Sequence, residues 1–292
     1  VAIFPLKHID DNTSTMIADR YAVFGQPIRH SKSPRIHQLF AEQTGQILQY
    51  TAQEVAAEQF ATAAEAFFAQ GGKGLNCTVP LKELAWHFAT HKTERAELAK
   101  AVNTLALQAD GSILGDNTDG SGLVTDLLIN HDISLSGKRI LLLGAGGASR
   151  GVLLPLLEQL PSCLLIANRT TVKAIDLAAE FAHKGMISGC GFTDLIDCEP
   201  FDVILNATSA SLSDQLPPLP DKLLAEQGIC YDLAYGNEPT AFVHWSLTHH
   251  AVKSLDGLGM LVEQAAEAFF IWRGVRPETL PVIALLNAER QR

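Results

Sequence analysis

The stretch Arg139–Leu157, RILLLGAGGASRGVLLPLL, decides the architecture. An apolar run, Ile140–Leu143, passes directly into Gly144-Ala145-Gly146-Gly147-Ala148 and then into a second apolar segment. Short apolar runs bounded by glycine read as buried strands. Strand, glycine turn and helix in that order have a physical use. Gly144 permits the tight turn, and Gly146 and Gly147 remove side chains where a pyrophosphate would meet the backbone. The helix beyond offers free N–H groups and a positive dipole end to an anion. Ser149 stands where the usual G-x-G-x-x-G has its third glycine. Glycine-rich turns that bind no nucleotide share this pattern, so alone it leaves both readings open.

Downstream, strands are predicted at 163–167, 187–190, 202–205 and 229–232, with helices at 149–159, 172–183 and around 221–226. Such alternation gives a parallel sheet with right-handed crossovers, the Rossmann-like arrangement. The second strand ends in Asn168-Arg169-Thr170, with Lys173 one turn into the next helix. NAD enzymes place an acid here for the ribose hydroxyls. None is present. Arg169, Thr170 and Lys173 offer a fork, a hydroxyl and a point charge to a 2′-phosphate, which predicts NADP(H) as cofactor. A solvated helix start capped by Asn168 is the alternative.

Upstream lies a different α/β pattern. Tyr21–Gly25 reads as a strand, and Ser33-Pro34 opens a helix to about Thr44, since proline in the first turn costs no hydrogen bond. A strand at 47–55, a helix over 56–70, a strand at Gly74–Val79 and two helical stretches follow. Strands at 102–107 and 112–114 flank the turn Asp110-Gly111, and 119–130 suits a helix. From about 258 the chain is predicted helical, with Leu261, Ala265, Ala268, Phe269 and Trp272 in one apolar stripe. So broad a stripe needs a partner, which returns the chain to its first half. The expected fold class is therefore α/β with two domains. A substrate-binding domain takes 16–118 and 258–292, and an NADP-binding domain takes 119–257 with a linking helix.

Composition agrees. The 292 residues are 47% hydrophobic and 18% charged, enough apolar material for two cores and too little charge for a disordered chain. With 22 Lys and Arg against 32 Asp and Glu, the net charge of −10 makes the chain a poor candidate for a general phosphate-backbone binder, though local basic residues can still hold one small anion. Five cysteines without a C-x-x-C and ten histidines without an H-E-x-x-H support neither a disulfide framework nor a metal site, and favour a reducing cytoplasm. No apolar run is long enough for a membrane helix, and VAIFPLKHIDDNTST lacks the features of a signal peptide. Residues 1–15 are read as an extension ahead of Met16 and carry no assigned function. A homodimer is open; nothing in the chain decides it.

Several segments are polar where a core would be apolar. Ser31 and Ser33 flank Lys32 before the Pro34 helix start, placed for a carboxylate or for plain capping. Thr78 and Lys82 follow a strand, Asn103-Thr104 follows Ala101-Val102, and Gly115–Gly120 joins a strand to a helix. Lys82 and Asp119 alone also fit a surface ion pair.

Taken together, the chain from about Tyr21 to Ile283 resembles the shikimate dehydrogenase family. The resemblance rests on YAVFGQPIRHSKSP, GGKGLNCTVPLKE, AVNTL, LGDNTDG, RILLLGAGGASRGVLLPLL, NRT, FDVILNATS, YDLAY and DGLGMLVEQAA. NRT after the second strand is similar to the NADP-dependent biosynthetic branch rather than the NAD-using quinate/shikimate branch. The resemblance implies that Ser31, Ser33 and Thr78 hold a substrate carboxylate, with Tyr235 nearby. It implies that Asn103, Asp119 and Gln264 bind ring hydroxyls, and that Lys82 is the catalytic acid/base paired with Asp119. Gly144, Ala145, Gly146, Gly147, Ala148, Asn168, Arg169, Thr170 and Lys173 would hold NADP, with Glu94, Leu233 and Gly257 lining the cofactor side. The implied activity is NADPH-dependent reduction of 3-dehydroshikimate to shikimate, a small-molecule reaction. A lysine's ordinary pKa of about 10.4 keeps it an ammonium at neutral pH, loaded for proton donation. A quinate-tolerant enzyme and a non-catalytic nucleotide-responsive module are the alternatives. The helices near 119–130 and 258–272 are expected to act as a hinge.

Overall fold

The computed structural model describes residues 18–213 and 215–290. The reading of residues 1–15 and Met16 lies outside the described residues.

The first sheet contains β1 (Asp19–Gly25), β2 (Leu48–Glu54), β3 (Gly72–Cys77), β4 (His91–Lys92), β5 (Thr104–Leu107) and β6 (Ile113–Asp116), in the order β2-β1-β3-β5-β6-β4. β1 pairs in parallel with β2 and β3, whereas β5 runs antiparallel to β3 and β6. The antiparallel pairing of β5 with β6 follows from the short Asp110-Gly111 turn, where Gly111 adopts φ +85°; parallel strands need a longer crossover. Helices α1 (Ser33–Thr44), α2 (Phe60–Ala69), α3 (Lys82–Phe88) and α4 (Glu94–Ala99) connect these strands. Phe24, Phe60, Phe67, Leu75 and Leu105 build the core against α2 and α3.

α5 (Asp119–Thr125) continues into a π-helical turn at Asp126–Asn130 and leads to the second sheet. That sheet contains β7 (Arg139–Leu143), β8 (Cys163–Asn168), β9 (Ile187–Gly191), β10 (Phe201–Asn206), β11 (Leu224–Asp232) and β12 (Lys253–Leu255). The order is β12-β11-β10-β7-β8-β9, and every pairing is parallel. Ile140, Leu141, Leu142 and Leu143 of β7 are fully buried, as a strand covered on both faces requires. α6 (Gly147–Leu157), α7 (Thr171–Phe181) and α8 (Ala241–Thr248) supply helices around it.

The helix expected around 221–226 is absent. Leu223 is buried, Leu224 already pairs with Phe201, and the strand runs from there. Lys222–Glu226 is rich in helix formers, but the run is too short to nucleate a helix against a waiting strand edge. α8 and β12 carry no clear sequence period, and the sequence reading does not include them.

The C-terminal segment is two helices, α9 (Leu258–Arg273) and α10 (Leu280–Arg290). Gly274 at φ +67° ends α9. α9 lies on the first half of the chain: Trp272 stacks on Tyr21 and donates from Nε1 to the Leu105 carbonyl at 3.0 Å, and Arg273 pairs with Asp19. Both passages of the chain between the sheets meet at Tyr231. Its hydroxyl donates to Asp126 Oδ2 at 2.7 Å and accepts from the Met260 N–H at 3.2 Å.

Candidate active site

A cavity of about 440 Å³ is lined from both halves of the chain. Ser31, Ser33, Thr78, Lys82, Asn103 and Asp119 come from the first-sheet side, with Asp119 at the start of α5. Leu233, Tyr235 and Gly257 close it from the other, and Gln264 reaches it from α9. The structure thus gathers the residues read as substrate-binding into one space, although they come from six separate stretches of sequence.

Lys82 and Asp119 each occupy the first position of a helix, α3 and α5. The Lys82 carbonyl accepts from Val102 N–H at 2.9 Å, which ties α3 to the segment bearing Asn103. Lys82 Nζ donates to Asp119 Oδ2 at 2.5 Å. Asn103 Nδ2 donates to Asp119 Oδ1 at 2.8 Å and to Thr118 Oγ1 at 2.9 Å. Asn103 Oδ1 accepts from Thr118 N–H and Thr104 Oγ1, both at 2.9 Å. The lysine is 28% exposed and the carboxylate 12%, so this ion pair lies in a pocket wall and not on the open surface.

At the other end, α1 begins without a side-chain cap: its N-cap residue is Lys32, which makes no capping bond. Ser31 Oγ accepts only a 3.3 Å contact from Ser33 N–H, so plain capping does not account for the two hydroxyls. Tyr235 is partly buried, and burial raises its phenol pKa.

The sequence reading does not reach Asn76 and Tyr50. Asn76 lines the cavity, accepts from Tyr50 OH at 2.7 Å, and donates from Nδ2 to the Asn103 carbonyl at 3.0 Å and Thr104 Oγ1 at 3.1 Å. A signal exists: Asn76 and Thr78 are two residues apart at a strand end and share a face. Beneath them, His37 is fully buried and stacks on Tyr50 with centroids 4.2 Å apart. Burial pushes its pKa down to about 3, and the Asn76 side chain offsets part of that.

The glycine turn follows β7. Gly144 has φ +103°, and a Cβ there would lie 3.1 Å from the Ala207 carbonyl oxygen. The backbone conformation therefore requires glycine, and the close carbonyl makes any side chain tight as well. Ser149 Oγ donates to the Gly144 carbonyl at 2.8 Å, which gives the residue at the third-glycine position its own task. Gly146, Gly147 and Ala148 are exposed, and open space lies beside Gly146 and Gly147. β7 and β10 are neighbours although distant in sequence, so the turn sits where strand order reverses, the usual ligand crevice of such sheets. Asn168 Nδ2 donates to the Thr170 carbonyl at 3.0 Å, fixing the next turn. Arg169, Thr170 and Lys173 are exposed beyond it, and no ion pair engages Arg169 or Lys173 among the described residues.

Leu233 and Gly257 line the cavity; Glu94 does not, and pairs instead with Lys184. Asp232, fully buried, anchors the loops around Leu233. It accepts from Ser211 Oγ and Thr240 Oγ1, both at 2.6 Å, from Ala234 N–H at 3.0 Å and from Asn206 Nδ2 at 3.2 Å.

A parallel sheet with a glycine turn at its switch point, in a chain whose other sheet borders a cavity with a positioned ammonium, is the arrangement of a nicotinamide-dependent oxidoreductase. Residues 23–105 match the family model of the shikimate dehydrogenase substrate binding domain, 128–213 that of shikimate/quinate 5-dehydrogenase, and 257–286 that of the shikimate 5′-dehydrogenase C-terminal domain. The chain belongs to the shikimate dehydrogenase family. It is 60% identical over 273 residues to the shikimate dehydrogenase (NADP(+)) of Methylococcus capsulatus, covering 94% of this chain and 98% of that one. Among solved structures it resembles an Ael1 enzyme from Pseudomonas putida, with 48% identity, TM-score 0.87 and coverage of 92% and 98%. It also resembles shikimate 5-dehydrogenase from Thermus thermophilus in complex with NADP(H) and shikimate, with 31% identity, TM-score 0.80 and coverage of 93% and 99%.

Proposed function

We propose that the protein catalyses the reversible NADPH-dependent reduction of 3-dehydroshikimate to shikimate, in the biosynthesis of aromatic amino acids. One observation carries the reading: the 2.5 Å Lys82–Asp119 pair lines one cavity together with the hydroxyls of Ser31, Ser33 and Thr78 and the amides of Asn76, Asn103 and Gln264. A hydroxylated ring carboxylate has that distribution of groups. The Methylococcus relative bears the corresponding name.

The nucleotide side fits NADP. The bare backbone at Gly146 and Gly147 leaves room for a pyrophosphate, and Arg169 and Lys173 have charge free for a 2′-phosphate. When bound, NADPH supplies the hydride. Lys82 Nζ holds the proton that the ketone oxygen takes up, and in the reverse direction takes it from the alcohol. Asp119 keeps the ammonium aimed into the cavity, and Asn103 fixes the carboxylate so that it does not swing with the lysine. Ser31, Ser33, Thr78 and Tyr235 hold the carboxylate end, while Asn76, Asn103 and Gln264 take ring hydroxyls. Leu233 and Gly257 bound the cavity on the nucleotide side. All five cysteines are free thiols, which suits a reducing cytoplasm.

Absorbance at about 340 nm with shikimate or quinate and NADP or NAD, in all four combinations, tests the reading, since it reports hydride on the nicotinamide. Turnover is expected with shikimate and NADP far above the other three. Equal turnover of quinate with NAD would move the enzyme to the other branch. No turnover in any combination would refute catalysis.

A further inference from the structure

Outside the cavity, one half-buried guanidinium joins the segments that carry the hydroxyl-binding side of the site. Arg95, on α4, makes a two-pronged contact with Asp116: Nε to Oδ1 and Nη2 to Oδ2, both at 2.6 Å. Nη2 also donates to Glu267 Oε1 of α9 at 3.1 Å, and Nη1 donates to Ser121 Oγ of α5. Asp116 is 4% exposed, and its Oδ1 additionally accepts from Thr93 Oγ1 at 2.6 Å and from Asn117 N–H at 2.7 Å. The donors of one planar fork thus meet a strand end, a helix start and the returning helix.

These segments end in the site. Asp119 lies three positions beyond Asp116, and the turn between them is closed by Asp119 N–H donating to Asn117 Oδ1 at 3.1 Å. Glu267 lies one turn beyond Gln264 on α9. α5 and α9 touch so closely that a Cβ at Gly122 would stand 2.7 Å from the Gln264 backbone nitrogen. The spacing between the Asp119 carboxylate and the Gln264 amide is therefore set by how α5 and α9 are clamped.

Resting on the reading above, we propose that Arg95 is a positioning residue for the reaction: it holds Asp119 and Gln264 at the separation that a ring hydroxyl spans. Arg95 does not line the cavity. It acts through Asp116 on the catalytic carboxylate and through Glu267 on the helix that bears Gln264. A lysine cannot reproduce this, because a point charge does not bind both carboxylate oxygens and a second carboxylate in one plane. Displacement of a positioned group by about 1 Å costs roughly 100-fold in rate.

Arg95→Lys and Glu267→Ala test this, each assayed in full-length protein with shikimate and NADP varied separately. Arg95→Lys should lower kcat by about 10- to 100-fold and raise KM for shikimate, with KM for NADP unchanged. Glu267→Ala should raise KM for shikimate several-fold and spare kcat, because it frees Gln264 and not Asp119. A general loss of structure would move the NADP constant as well. Wild-type kcat and shikimate KM in Arg95→Lys would overturn the proposal. So would parallel losses for both ligands in that variant. If Arg95→Lys does not fold, Glu267→Ala decides, and an unchanged shikimate KM there is fatal. Absence of turnover in the wild-type protein would instead strike the functional reading, so the two failures are distinct.

Discussion

Asn103 reaches Asp119 Oδ1 at 2.8 Å and leaves Oδ2 to Lys82. The carboxylate is held from both sides, which fits the proposed task of aiming the ammonium. With both oxygens engaged, it is poorly placed to exchange a proton with substrate, so on the proposed reading Lys82 gives the proton in reduction and takes it in oxidation.

Lys82→Ala should lower kcat by about 10²- to 10⁴-fold, the usual worth of a positioned acid/base. The fold should persist, because the side chain leaves a pocket wall and not the core. Steady-state rates beside a circular dichroism spectrum check this. Near wild-type turnover would remove the lysine from the reaction.

Arg169→Ala should reduce kcat/KM for NADP much more than for NAD. Arg169 is exposed and has no ion-pair partner among the described residues, so its removal should cost the fold little. Comparing the two cofactors in one preparation isolates the 2′-phosphate. Equal losses would count against that contact.

His37 should make the protein sensitive to mild acid. The folded ring titrates near 3, against an ordinary 6.5. Between those values the unfolded chain binds the additional proton, so stability present above about pH 6.5 is lost as pH falls toward 3 and levels off below. The slope is at most about 1.4 kcal/mol per pH unit. Neither ring nitrogen has a hydrogen-bond partner of full geometry. His37→Leu should therefore be tolerated at neutral pH and should flatten the acid slope. Urea midpoints at two pH values measure it, and an unchanged slope would assign the acid sensitivity elsewhere.

Asp232→Ala should destabilise the protein by about 3 kcal/mol or more, since it strands several donors that now share one buried carboxylate. The loops that carry Leu233 and Ser211 should loosen with it, and KM for NADP should rise. Denaturant unfolding and cofactor titration read the two effects. Loss of stability with unchanged NADP affinity would confine Asp232 to the core.

Much of the second sheet is legible in the sequence because its strands are continuous apolar runs punctuated by glycine or polar turns, the Ile140–Leu143 run above all. The polar blocks around Ser31, Thr78, Asn103 and Asp119 are legible through their order and their likeness to one family. Asn76 is hidden inside a block that reads for Thr78 and Lys82. Its partner Tyr50 lies on another strand, and only the parallel pairing of β1 with β2 and β3 brings the two together. Arg95 is hidden for the same reason: Asp116, Ser121 and Glu267 approach it only after folding. The segment at 221–226 misleads because helix propensity is local, whereas its pairing with Phe201 is not.

Tyr231 meets both stretches of chain that run between the sheets, at Asp126 and at Met260. A single pin through two parallel straps leaves them free to twist about it but not to slip along one another. Any breathing of the two lobes should then be a swing, smallest beside this phenol and largest at the distant rim. Spin labels placed near the pin should report constant separation while labels at the rim report a spread.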